Sequence, residues 1–422
     1  MTKWPWSLSF EVHVRPFRIL CLLMVVFLAA GCAAGVRKPP EKILHALVLI
    51  PPEEAPPLAD DLDGDLLATA IERSLAYYQS DGSNKTYDFG GFQITGKELS
   101  ESLLAFREIL DNHDSADSKT KSIIETFDIY KAVGSEDSGT VFFTGYFEPL
   151  IEGSLQRTGR YRHPIYKTPD DVVVVNLGKF NKRYRNERLV GRLNNGEVIP
   201  YFTRADIEER GALAGRNLEL IWVDDPIEIF FLHIQGSGKI RLPDGNFIQV
   251  SFAQSNGRPY RSIGRYLLDK GKMTTGEMSH QSLKRYLKEH PEELSDILNY
   301  NESYVFFRIV ENGPVGALGL TLTSGRSIAT DLDVFPRGAL AFIRMRKPVF
   351  EKDGNIKSWE AFSRFVLNQD TGGVIKGPGR VDLFCGTGSA AEMLAGSLKE
   401  TGELYFLVKK KGGITPAADA AE

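Results

Sequence analysis
Leu67, Ile71, Leu75 and Tyr78 recur at the spacing of a helix with one buried face. Thr95 and Glu98 form a capping box ahead of a second apolar stripe, Leu99, Leu103, Phe106 and Leu110. A third helical stretch is expected over Lys119–Ala132. The pattern changes at Thr140. Val141 to Pro149 and Val172–Asn176 are rich in β-formers and read as strands. Between about 150 and 260, short strands are separated by Gly and Pro, including a hairpin turn at Leu242-Pro243-Asp244-Gly245-Asn246. Phe230-Phe231-Leu232-His233-Ile234 reads as strand-like. Helices return at Ser262–Lys270 and Ser282–Asn301. Strands follow at Tyr304–Val310, Arg326–Thr330, Leu340–Met345, Phe362–Leu367, Val381–Phe384 and Leu404–Val408.

Short strands without regular βαβ alternation predict barrels rather than a doubly wound sheet. Helical segments bracket the β-rich middle, which suggests an insertion into a domain made from both ends of the chain. The start of the chain has its own logic. Lys3, Arg15 and Arg18 precede an apolar run of 12 residues, Ile19 to Ala30, too short for the roughly 20 residues of a membrane span. Ending in Leu28-Ala29-Ala30-Gly31-Cys32, it fits a secretory signal, and the Cys after small residues resembles a bacterial lipoprotein cleavage site. A plain signal cut near Ala30 is the alternative. Ala33, rather than Asp, after the Cys suits an outer-membrane lipoprotein. Six prolines between Pro39 and Pro57 suggest a stiff tether.

Composition narrows the chemistry. Hydrophobic residues at 42% and charged residues at 25% are globular values, and the net charge of −4 offers no basic excess for nucleic acid. With Cys21 in the signal and Cys32 lipidated, only Cys385 remains, so no internal disulfide is expected. Cys385 beside Phe384 reads as packing before nucleophile, and His233 as a core histidine before base. None of the seven His lies in a zinc pattern, and no Gly-x-Ser-x-Gly elbow exists. Val381 to Gly388 looks like the first motif of a Rossmann methyltransferase, but 34 residues beyond it are too few for the remaining units.

Asp331, Asp370 and Asp382 each end or interrupt an apolar strand, the last two 12 apart around Gly372, Gly373 and Gly377. Turn chemistry explains Asp and Gly there one at a time. Together, neighbouring carboxylates raise one another's pKa and keep one protonated as a general acid. A calcium site is the competing reading.

Seven segments resemble the membrane-bound lytic murein transglycosylase A family and its C-terminal three-aspartate domain. They are Phe143–Pro149, His233–Gly238, Asn256–Gly264, Ser303–Phe307, Ser327–Asp331, Gln369–Gly377 and Val381–Phe384. Glu148 departs from the small polar residue expected there. The resemblance implies a mainly β fold with flanking helices: a double-psi β-barrel and an inserted second β-barrel-like domain, with the glycan groove between them. The expected boundaries are a signal at 1–31, a tether at 32–60, the barrel from 61–148 and 300–410, the insert at 149–299 and a tail at 411–422. It implies a lyase that cleaves the β-1,4 bond between N-acetylmuramic acid and N-acetylglucosamine in peptidoglycan, leaving 1,6-anhydro ends, without metal or cofactor. Asp382 would be the acid/base, and Asp370 and Asp331 its supports. Thr144, Tyr146, Gln235, Ser237, Gly372, Gly373 and Lys376 would bind glycan, although Tyr146 also suits a core position. Peptidoglycan strands are the expected partner, with a membrane held through Cys32. Cell-wall synthesis or degradation complexes are a further partner class that the sequence leaves open. A hydrolase using water, or a non-catalytic peptidoglycan-binding lipoprotein, are the rival functions.

Overall fold
The computed structural model describes residues 45–411 apart from 63, 113, 114, 136, 137, 186 and 353. The signal segment, Cys32 and the tail beyond Lys411 lie outside the described residues. Six strands close into a barrel: Lys399–Lys409, Leu340–Phe350, Ile356–Asp370, Ser327–Ala329, Arg380–Thr387 and Val141–Glu148, the last pairing back onto the first. Two pairings are parallel, Ser327–Ala329 with Ile356–Asp370 and Arg380–Thr387 with Val141–Glu148. The fold is the expected double-psi type. Its core holds Phe143, Phe342, Val366, Leu367 and Phe406, all 0% exposed. The helices Gly64–Tyr78 and Gly96–Asn112 bury Leu67, Ile71, Leu75, Leu99, Leu103 and Phe106 in the same core, following their sequence stripes. Thr95 N–H and Oγ–H donate to Glu98 Oε2 at 2.7 and 2.8 Å, closing the expected cap.

Several expectations are corrected. The third helix stops at Thr126, and Phe127–Ala132 is a strand paired with Tyr405–Lys409. Its aromatic and branched residues fit a half-buried pleat, and tertiary pairing overrides the helical reading. Ser282–Asn301 is two helices, His280–Glu289 and Leu294–Tyr300, because Pro291 restricts His290 and ends the first. Residues 45–60 do not run free as a tether. Leu47–Leu49 pairs with Tyr130–Ala132, and Asp60 Oδ2 accepts from the buried Arg326 at 2.6 Å. Phe230–Ile234 lies inside the helix Pro226–Gln235, started by Asp225, whose side chain accepts from Ile227 N–H at 2.9 Å, and ended by Gly236 at φ 78°.

The second β unit begins after Pro149, the one residue between the strands Val141–Glu148 and Leu150–Ser154. Its six-stranded sheet runs Val305–Val310, Phe247–Ser255, Ser237–Arg241, Leu150–Ser154, Glu219–Val223, His163–Tyr166, so the insert runs on to Val310 instead of ending at 299 as expected. A bridge between Lys167 and Phe307 brings its two edges together, so the sheet curls into a barrel-like form. Ile151, Ile221, Ile240, Val250 and Phe307 fill it. The Pro226–Gln235 helix buries Ile229 and Leu232 against that sheet, and Ile227, Phe230 and Phe231 against the helices of residues 263–300.

Candidate active site
Alternation along the Arg380–Thr387 strand sends Val381 and Leu383 into the core and turns Arg380, Asp382 and Phe384 to the other face. The parallel register sets Asp382 beside Thr144 and Phe384 beside Tyr146. Thr144 Oγ1 donates to Asp382 Oδ1. Arg380 Nη2 donates to Thr144 Oγ1 at 2.9 Å and lies 3.3 Å from Asp382 Oδ1. The Asp382 side chain is 19% exposed. Burial pushes its carboxyl up to about 6, with the Arg380 guanidinium opposing and the Asp370 carboxylate adding to the rise.

Asp370 closes the Ile356–Asp370 strand. Ala329 pairs with Asp370 on one side and Asp382 on the other, so one small residue separates the two carboxyl-bearing strands at the same level. Tyr146 reaches across: its hydroxyl donates to Asp370 Oδ2 at 2.8 Å and its ring lies 5.3 Å from that of Phe384. Asp370 Oδ1 accepts from the Ala317 and Thr371 N–H groups, each at 2.8 Å. Burial pushes the Asp370 pKa up, and these three donors pull it back. The Tyr146 phenol is driven well up by burial and by Asp370, so it stays a donor.

The structure does not bring Asp331 to the Asp382 carboxyl. Its Oδ2 accepts from Gly377 N–H at 2.9 Å and its Oδ1 lies 3.6 Å from Lys376 Nζ, so it pins the Gly-rich loop that follows Asp370. Within that loop Ile375 N–H donates to the Gly372 carbonyl at 3.0 Å. A Cβ at Gly372 would stand 2.9 Å from Ile375 Cγ1, whereas Gly373 faces open space. Gln235 joins the two β units, its Oε1 accepting from Phe147 N–H at 3.1 Å, and it lines a pocket with Tyr260, Ser279, His280 and Lys399. Ser237, at 8% exposed, is buried at the start of an insert strand rather than lining an open groove.

Sequence reasoning gave Arg380 no role and met Glu148 only as a departure from the family pattern. Arg380 could have been found from its period-two spacing to Asp382. Glu148, only 2% exposed, takes hydrogen bonds from Thr387 Oγ1 at 2.7 Å and from Gln249 Nε2, tying the barrel to the insert where the chain leaves it. Burial raises its pKa. Gly145 allows the close approach of the helix Ser389–Ser397, since a Cβ there would lie 2.7 Å from Ala395 Cα. Cys385 packs with Phe147, Ala391 and Ala395, and burial pushes its thiol up to about 12. His233 stacks on Phe307 and meets the tilted ring of Tyr304, and burial drives its pKa well down, as the histidine of a core. Among the described residues, no group of three or more His, Cys, Asp or Glu is placed to hold a metal ion, and no helix is long and apolar enough to cross a membrane.

A closed barrel carrying paired aspartates, with a second β unit threaded into it, defines a class: two-domain double-psi barrels of the three-aspartate type. Residues 142–308 match the MltA specific insert domain and residues 326–408 match the 3D domain. The chain is 31% identical over 288 residues to membrane-bound lytic murein transglycosylase A of Escherichia coli K12, covering 68% of this chain and 70% of the relative. A crystal structure of a membrane-bound lytic murein transglycosylase from Agrobacterium tumefaciens superposes with a TM-score of 0.70 at 27% identity, covering 86% of this chain and 98% of that one. The monoclinic form of MltA from Neisseria gonorrhoeae does so at 0.66 and 29%, covering 87% and 93%. The chain belongs to the membrane-bound lytic murein transglycosylase A family.

Proposed function
We propose that the chain is a peptidoglycan lyase, a lytic transglycosylase that cleaves the β-1,4 bond between N-acetylmuramic acid and N-acetylglucosamine. Family membership carries the peptidoglycan-degrading activity and a place in the cell envelope. The observation that carries the mechanism is the placing of Asp382, mostly buried, hydrogen-bonded by Thr144 and level with Asp370, where burial pushes its pKa up to about 6. Its proton passes to the glycosidic oxygen as the C1–O bond breaks and N-acetylglucosamine leaves. The C6 hydroxyl of the muramic acid bonds to C1, and its proton returns to Asp382. No water enters, so one group serves as acid and then base, where a hydrolase uses two carboxyls.

Thr144 and Arg380 orient Asp382. Asp370, fixed by Tyr146 and two backbone N–H groups, raises the Asp382 pKa. Asp331 acts one step further out, on the loop carrying Gly372, Gly373 and Lys376 that would face the glycan. Tyr146 works as a buried donor to Asp370 rather than a stacking platform. The glycan would lie between the barrel and the insert, along the side where Gln235 joins them. Cys32 would carry the lipid and hold the protein at the outer membrane, facing the periplasm. Mass analysis of sacculi digested by the purified protein tests the reaction. Fragments ending in anhydromuramic acid are expected; ends heavier by a water would instead make this a hydrolase.

A further inference from the structure
The insert has a feature that the proposed chemistry does not use. Val172–Asn176, Arg188–Asn194 and Glu197–Pro200 form a separate three-stranded sheet. Val190 and Arg192 face the rest of the insert: Val190 abuts Gly257, and the Arg192 guanidinium lies 4.4 Å from the Phe202 ring. Alternation then turns Val173, Val175, Leu189, Leu193 and Val198 to the opposite face, in register with one another. There Leu189 is 54% exposed, Leu193 63% and Val198 46%. The loop joining the first two strands carries Lys179, Lys182, Arg183 and Arg185, all exposed, around Phe180, which is 80% exposed.

Charge sets this sheet apart. Residues 172–200 hold six Lys or Arg against two Glu, a net of +4 in a chain of net −4. Among the described residues none of those six cations makes an ion pair, although the insert's Arg160, Arg204, Arg210 and Arg216 each do. Apolar side chains left in water beside unpaired cations suit the interface of an anionic lipid bilayer, where the chains enter the headgroup boundary and the cations meet phosphate. A hydrated acidic glycan-peptide would satisfy the cations but leave Phe180, Leu189 and Leu193 in water. A second copy would bring like charge against like.

We propose that this sheet and its basic loop bind an anionic membrane surface, as a contact separate from the lipid expected on Cys32. Amide hydrogen exchange of the intact, lipid-anchored chain in vesicles reads this region directly, whatever the anchor does. Vesicles of phosphatidylethanolamine with phosphatidylglycerol should slow exchange over residues 177–193, and vesicles of phosphatidylcholine alone should not. Each basic side chain at such a surface strengthens binding roughly fivefold, so Lys182→Gln, Arg183→Gln and Arg185→Gln together should weaken the contact on the order of a hundredfold. That variant should lose the protection while exchanging normally in the barrel. Phe180→Ser should weaken protection with the charges intact. Equal exchange in the two kinds of vesicle would overturn the proposal. So would protection that follows protein concentration without vesicles, which would indicate self-association, or protection only on adding muropeptides.

Discussion

Asp382 lies between two opposing influences, and its titration should report both. The carboxyl must be protonated to start the reaction, so kcat/KM should fall as pH rises through about 6. Asp370→Asn removes a charge that raises the Asp382 pKa, so this limb should move to lower pH; Arg380→Gln removes the opposing charge, so it should move higher. A pH–rate series on the three proteins checks this, and limbs that coincide would detach both neighbours from Asp382. The same shift has a stability sign. Its folded pKa stands above the reference value of 3.8, so the folded state binds the proton more tightly, and stability falls as pH rises between those values. Asp382→Asn removes that penalty, so relative to wild type its melting temperature should be higher at about pH 8 than at about pH 4. The sequence marks Asp382 and Asp370 only as part of a cluster of three Asp around a Gly-rich loop, and the family resemblance rather than the pattern assigns their roles. The pattern could not separate Asp331 from them, since all three share the same Asp-and-Gly surroundings and only the register shows which carboxyls meet.

Elements were legible where one face is buried and the ends are marked. The helices starting near residues 64 and 96 show a clear stripe, and the second has its cap in Thr95 and Glu98. The Pro226–Gln235 helix was not legible by periodicity because apolar clusters lie on both of its sides. Its end signals, Asp225-Pro226 and Gly236, went unused and would have been the better guide. Residues 45–60 of the expected tether were misread from their prolines, yet they anchor the barrel through Asp60 on Arg326, whose side chain is 0% exposed. Asp60→Ala should cost about 3 kcal/mol, because it removes the carboxylate from a buried guanidinium. Denaturant unfolding monitored by circular dichroism measures it, and a change below about 0.5 kcal/mol would make the segment a tether after all.

At the scale of the whole molecule, the site exists only because the chain closes on itself. Thr144 and Asp382 meet across 238 residues, through a parallel pairing that no local pattern encodes. Residue patterns suggested barrels and a bracketed insertion, but the double-psi topology came from the family resemblance. The donors around the site suggest a further test. Asp370 accepts from a hydroxyl and two N–H groups, which leaves little lone-pair capacity to bind a cation, so EDTA should leave sacculus digestion unchanged. Loss of activity that calcium restores would return the aspartates to a metal role. The central claim is that Asp382 alone carries the proton in both halves of the reaction. Its most direct test is the rate of anhydro-muropeptide release by Asp382→Asn beside wild type, with folding and sacculus binding measured on the same samples. A fall in rate on the order of 10²–10⁴ or more, with folding and binding intact, is the result expected; release at the wild-type rate would contradict it.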